Sequence, residues 1–282
     1  MKRVKKYQGD SFEFHQKVVN SKHRTKNDST YKERINILEN VIKRQFEEHD
    51  KLFDTDKLEF LSPAPLADGQ KKDLITLYNY KTKPFQQLND ILTTGENGTR
   101  QPLCPFCTIN NVNTFDHFIP KNTFAELSDH PINLIPCCSE CNSKKSTNWK
   151  EGNSRKYINF YIDDLPSTQY LYANIIIADS TLNVKFEIRN EGNINNILFT
   201  RIKNHYTDLE LCERFALNSD NIISELKNTL KVNQTYLLRE QLKQIIIDTE
   251  NKNREYYGFN YWRAILKIEC CENDEIFDFL LK

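Results

Sequence analysis

The chain has 282 residues, 38% hydrophobic and 28% charged, a mix that excludes a disordered or fibrous polymer and supplies one or two apolar cores. Its 39 basic and 39 acidic residues cancel, so a contact with nucleic acid has to come from local patches, not bulk charge. No apolar run reaches the roughly 20 residues of a spanning helix, and the charged start, Met1 to Lys6, precedes no apolar stretch. Neither membrane insertion nor export is expected, and the chain reads as cytoplasmic.

In chain order, the first feature is basic. Lys2, Arg3, Lys5, Lys6, Lys17, Lys22, Arg24 and Lys26 face only Asp10 and Glu13, a local charge of +6 that fits a solvated tail as well as a phosphate-facing patch. Ile35, Leu38, Ile42 and Phe46 then recur at helical spacing behind Ser29, a plausible cap. The Ser62-Pro63-Ala64-Pro65 run breaks the chain. Lys71 to Leu92 sets Leu74, Leu77, Leu88 and Ile91 at helical spacing, with an interruption at Pro84, and Gly95 to Thr99 forms the next turn. From Cys104 to Tyr157 periodicity fades and ligand chemistry is dense, as in a module organised by metal.

Beyond it, Tyr170 to Ala178 and Leu182 to Arg189 are rich in Ile, Val, Tyr and Phe around Asp179-Ser180 and predict a β-hairpin. Helical spacing returns with Leu209, Cys212 and Phe215, then Ile222, Leu226 and Leu230, then Leu237 to Ile247 after Asn233, and the tail Phe259 to Leu281. Only seven glycines occur and none forms a Gly-rich phosphate loop, so an ATPase site in this chain is not expected.

Eight cysteines are too few and too uneven for a disulfide framework, which fits a reducing compartment. Cys104 with Cys107, and Cys138 with Cys141, form two Cys-x-x-Cys pairs separated by the thirty residues Thr108 to Cys137. Four thiolates select tetrahedral zinc, and a closed four-sulfur site leaves no position for a reacting water, so the zinc is structural. Cys137 raises a register question, but only Cys138 reproduces the spacing of the first pair. Cys137, Cys212, Cys270 and Cys271 read as core thiols. Behind the second pair, Lys144, Lys145, Lys150, Arg155 and Lys156 against Glu151 give residues 141–156 a charge of +4.

Between the pairs stand Phe115-Asp116-His117-Phe118-Ile119-Pro120 and Asn133-Leu134-Ile135-Pro136, followed by Cys141-Asn142-Ser143-Lys144-Lys145. This order resembles the HNH endonuclease family, whose pattern runs Asp-His-x-x-Pro, Asn-Leu and Cys-x-x-Cys-Asn-x-x-Lys behind an upstream Cys-x-x-Cys. The resemblance covers Leu103 to Ser146, about a sixth of the chain. It implies a ββα-metal site, and with the apolar patterns on either side the chain reads as α+β: a helical region at 1–98, the HNH module at 99–157, and a β-hairpin followed by helices at 158–282.

By that resemblance His117 is the base that activates water, and Asn133 hydrogen-bonds the imidazole and fixes its tautomer. Asp116 and Asn142 match the metal positions, and their oxygens favour Mg²⁺ or Mn²⁺. Lys144 and Lys145 would approach backbone phosphates of DNA without reading sequence. His130 has no counterpart in the pattern and reads as an ordinary loop residue, and His15, His23, His49 and His205 as structural or exposed. Stand-alone HNH proteins of this layout include bacterial anti-phage proteins of the Septu-like and retron-associated kinds, which implies a separate ATPase partner. The alternatives are a non-catalytic zinc module that binds nucleic acid or protein, and an RNA-cleaving HNH toxin.

Overall fold

Asp10 begins the first helix, its Oδ1 accepting from the Glu13 N–H at 2.8 Å ahead of α1 (Ser11–Ser21). This computed structural model describes residues 1, 4–22, 28–95 and 98–282. Lys2, Arg3, Arg24 and Lys26 of the N-terminal basic patch, His23, and Glu96 and Asn97 of the expected turn lie outside the described residues.

The helical run at Ile35 to Phe46 divides at Leu38 into α2 (Tyr31–Ile37) and α3 (Glu39–Asp54), with Thr30 rather than Ser29 preceding the first turn. Lys71 to Leu92 is likewise two helices, α4 (Asp68–Ile75) and α5 (Lys83–Thr93). Pro84 does not interrupt a helix; it sits in the first turn of α5, where a missing N–H removes no helical bond. Phe46, Leu74, Phe85 and Leu88 turn inward from these helices, and Leu77 is buried in the turn after α4.

Two short strands follow, β1 (Thr114–His117) antiparallel to β2 (Leu134–Cys137), in a register that sets Thr114 opposite Cys137 and His117 opposite Leu134. Single 3₁₀ turns at Ala125–Leu127 and Pro131–Asn133 shape the loop between them, and α6 (Ser139–Lys145) leaves β2 through Cys138. A ribbon of β3 (Lys150–Glu151) and β4 (Ser154–Arg155) ends the module. Arg155, counted above in a basic patch, is buried with its guanidinium on Asp163 at 2.8 Å and on Asp56. A desolvated guanidinium is favourable only when so paired, and that charge is therefore spent internally.

By chain contacts the molecule divides into two units, Arg3–Phe106 with Asn110–Asp164, and Met1–Lys2 with Cys107–Ile109 and Leu165–Lys282. The first holds both the N-terminal helices and the β1–β2–α6 module. In the second, β5 (Leu171–Ala178) and β6 (Thr181–Ile188) form the expected hairpin. Asp179 and Ser180 both have positive φ, 49° and 61°, the backbone of a tight turn that matches the strand twist.

The helices of this unit are α7 (Asn196–Asp208), α8 (Leu211–Leu217), α9 (Ser219–Asn233), α10 (Arg239–Tyr257), α11 (Trp262–Glu272) and α12 (Asp274–Leu281). Trp262 stacks on Phe215 at 5.2 Å, and Phe186 packs edge-on to both. The expected tail helix divides at Asn273, whose Oδ1 accepts from the Glu275 and Ile276 N–H groups and starts α12. Among the described residues no helix is long and apolar enough to cross a membrane.

Candidate active site and metal centre

The four cysteines of the two pairs converge. Ligand atoms of Cys104, Cys107, Cys138 and Cys141 all lie within 4.8 Å of one another, and all four residues are buried. Tetrahedral zinc at about 2.3 Å from each sulfur needs sulfurs about 3.8 Å apart, so the set fits the ion. The local backbone prepares it: Ile109 N–H points at Cys107 Sγ (3.4 Å) and Cys141 N–H at Cys138 Sγ (3.5 Å). Such donors stabilise thiolate charge. The cluster uses Cys138, while Cys137 belongs to β2, where burial pushes its thiol pKa up.

Asp116 and His117 are the last two residues of β1. His117 is 9% exposed, with its ring edge-on to Tyr78 at 4.6 Å. Its Nε2 lies 2.9 Å from the Ser128 carbonyl. A carbonyl only accepts, which assigns the proton to Nε2 and leaves Nδ1 as the basic nitrogen. Burial first, then the charges of Lys121 and Lys145, push the His117 pKa down to about 3 against the opposing pull of the Ser128 carbonyl. The imidazole is therefore neutral at neutral pH.

Asp116 is 1% exposed, and burial raises its pKa while Lys145 works against that rise. Lys145 Nζ stands 3.2 Å from Oδ1 and 3.0 Å from Oδ2, and it also meets the Phe118 carbonyl at 3.4 Å. The approach to Oδ2 satisfies distance but not hydrogen-bond direction, so Oδ2 is a buried carboxylate oxygen with no hydrogen-bond donor. A metal ion bound here would share this oxygen with the Lys145 ammonium. Asn142 is half-buried on α6, one turn before the lysine bonded to Asp116, and its amide oxygen is of the hard type that such cations take. These residues fit a divalent cation with oxygen ligands.

Two expectations require correction. Asn133 does not hold the imidazole: its Oδ1 accepts from Ile119 N–H at 2.8 Å, and its Nδ2 donates to the carbonyls of Ile119 (3.0 Å) and Leu127 (3.5 Å). The buried amide ties Ile119 to Leu127 and so holds the loop whose Ser128 carbonyl meets the His117 imidazole. Lys145 is not at the surface: it is 1% exposed, and the phosphate contact expected of it is replaced by the ion pair with Asp116. An aliphatic stem on a short helix packs inward where a buried carboxylate receives the ammonium. Lys144 beside it is half-buried.

Ser128, Tyr78 and Lys121 were not legible as site residues. Ser128 acts through a carbonyl that every residue carries, and Tyr78 lies well upstream of the motif. Lys121 follows the motif proline directly. It is half-buried, its ammonium stands 4.5 Å from the Tyr78 ring centre, and its charge acts on His117.

A ββα unit with a four-cysteine cluster and an Asp-His pair on its first strand is the arrangement expected of an HNH module. Residues 104–148 match the HNH endonuclease family model, and this segment is an HNH endonuclease domain. Protein ea31 of Escherichia phage lambda is 28% identical over 248 residues, 80% of this chain and 81% of its own length. Septu protein PtuB of Bacillus thuringiensis is 28% identical over 134 residues, 44% of this chain and 51% of its own length. No solved structure matches this chain.

Proposed function

We propose that this protein is a cytoplasmic endonuclease that hydrolyses DNA phosphodiester bonds with Mg²⁺ or Mn²⁺. The observation that carries the reading is the setting of His117: a neutral imidazole held at Nε2 by the Ser128 carbonyl, next in sequence to a buried carboxylate oxygen without a donor. Nδ1 takes a proton from water as the water oxygen attacks phosphorus, the bond to the 3′-oxygen breaks, and that oxygen takes a proton from solvent and leaves as a hydroxyl. Asp116 and Asn142 would hold the divalent cation, which when bound neutralises charge developing on the phosphate oxygens. Asn133 keeps the loop and hence the imidazole in place. Lys144 and Lys121 are the cations assigned to the phosphate backbone, and Lys145 serves as the internal counter-charge of Asp116. Zinc on the four cysteines holds the scaffold and takes no part in the reaction.

The similarity to a protein named for Septu supports a place in bacterial anti-phage defence with a separate ATPase partner. The phage lambda relative matches far beyond the 104–148 module, so the helical flanks are shared sequence as well. One observation favours a second reading, a zinc module that binds nucleic acid or protein without turnover: the charge of Asp116 is already answered by Lys145.

Purified protein incubated with plasmid DNA, and separately with RNA, in Mg²⁺ or Mn²⁺ separates these readings. DNA cleavage lost in His117→Ala supports the nuclease. Equal cleavage by both proteins removes His117 from the mechanism, and cleavage of RNA alone reassigns the substrate. Co-purification with an ATPase from the native host supports the defence assignment.

A further inference from the structure

We propose that His49, Asp50 and His130 form a second metal site, for a divalent transition ion of borderline softness, zinc foremost. His49 and Asp50 stand in the last two turns of α3, and His130 lies in the β1–β2 loop between its two 3₁₀ turns. One ligand atom from each lies within 4.8 Å of the other two. Asp50 Oδ1 is 3.0 Å from His49 Nδ1 and 3.1 Å from His130 Nε2, and the two rings approach with centroids 4.2 Å apart.

His130 supplies the observation that points to a ligand. Its side chain is fully buried, yet neither ring nitrogen has a hydrogen-bond partner. The 3.1 Å approach to Asp50 meets the distance of an ion pair, but the oxygen is off the direction in which a ring N–H would point. A buried imidazole with Nδ1 open and Nε2 in a misaligned contact with a carboxylate is costly and calls for a further partner. Two imidazoles with one carboxylate form a donor set that zinc, cobalt or nickel accept readily, whereas Mg²⁺ and Ca²⁺ prefer all-oxygen shells.

The surroundings hold the ligands as an outer shell would. Ser11 Oγ donates to Asp50 Oδ2 at 3.3 Å, and His15 Nδ1 engages Asp129, the residue before His130, at 2.8 Å. The Asp50 side chain is 36% exposed, which gives an ion a way in and leaves a coordination position for water. His130 is two residues beyond Ser128, so an ion here would tie α3 to the segment that meets His117 Nε2. The site itself rests on these contacts alone and stands whether or not the module cuts DNA.

The test counts metal. Full-length protein is equilibrated with excess Zn²⁺, freed of unbound ion and measured for zinc per chain. Two equivalents are expected, falling to one in His130→Gln and in Asp50→Asn, and remaining two in Asn142→Ala. A second measurement needs no variant: Co²⁺-loaded wild type should show paramagnetically shifted, exchangeable imidazole N–H resonances in its proton spectrum, since among the described residues histidine joins a ligand group only here. One equivalent in the wild type without such resonances means a hydrogen-bonded cluster alone and overturns the proposal. A count unchanged in both ligand variants overturns it, as does a second equivalent lost in Asn142→Ala.

Discussion

Lys145→Met should expose how the module manages its buried carboxylate. The variant keeps most of the aliphatic stem and deletes an ammonium that stands 3.0 Å and 3.2 Å from the Asp116 oxygens in a setting where both side chains are at most 2% exposed. Removing one member of a buried pair leaves an uncompensated charge, a loss of about 3–5 kcal/mol. Hydrogen exchange of a peptide covering Thr114 to Phe118 reads the opening free energy of β1 and should fall by that amount at pH 8. The deficit should shrink on acidification. Burial already raises the Asp116 pKa with Lys145 present, and without the lysine it rises further, so the carboxyl takes a proton at a higher pH and sheds its buried charge. Asp116→Asn combined with Lys145→Met should return to within about 1 kcal/mol of the wild type, since both charges are gone. A loss below about 1 kcal/mol in Lys145→Met, or additive losses in the double variant, would refute the pairing as the determinant.

Three further outcomes follow from the geometry. Cys104→Ser should abolish zinc at the knuckle and unfold the module, whereas His117→Ala should leave that zinc in place; elemental analysis with circular dichroism reads both. Asn133→Ala strips the Ile119 N–H and carbonyl of their buried partner, so it should cost about 2 kcal/mol or more in chemical denaturation and lower cleavage by loosening Ser128, with no change in zinc content. For His15, burial lowers the pKa but the charge and hydrogen bond of Asp129 outweigh it, and the net direction is up. A histidine raised in the folded state contributes stability fully present below its unfolded pKa near 6.5, lost as pH rises through the folded value. His15→Gln should therefore flatten the decline in stability above pH 6.5, and an unaltered slope in thermal or urea unfolding across that range would count against the pair.

The parts of the structure visible in the sequence are those that depend on fixed local spacing. Two Cys-x-x-Cys pairs bring four sulfurs together because a tetrahedral ion tolerates few loop lengths, and alternation around Asp179-Ser180 gives the β5–β6 hairpin its register. What escaped depends on pairings across long stretches of chain. His15 meets Asp129 over 114 residues, and Arg155 meets Asp56 over 99, so neither ion pair leaves a local pattern. The inward turn of Lys145 and Arg155 was hidden for the same reason: a lysine or arginine near a motif looks like a phosphate ligand until its acidic partner is located in space. Ser128 could not be read at all, because its contribution is a carbonyl. Helix boundaries at Leu38 and Asn273 were missed because apolar spacing runs through them, and the break expected at Pro84 falls earlier, between Ile75 and Lys83.

The four-sulfur cluster makes the folded population of this module a function of metal supply. With zinc bound only to the folded form, each tenfold fall in free zinc withdraws about 1.4 kcal/mol of stability while supply stays well above the dissociation constant. A newly made chain would therefore pass from inert to assembled over a narrow span of zinc availability. Zinc supply as well as the rate of synthesis would then set how many copies are folded.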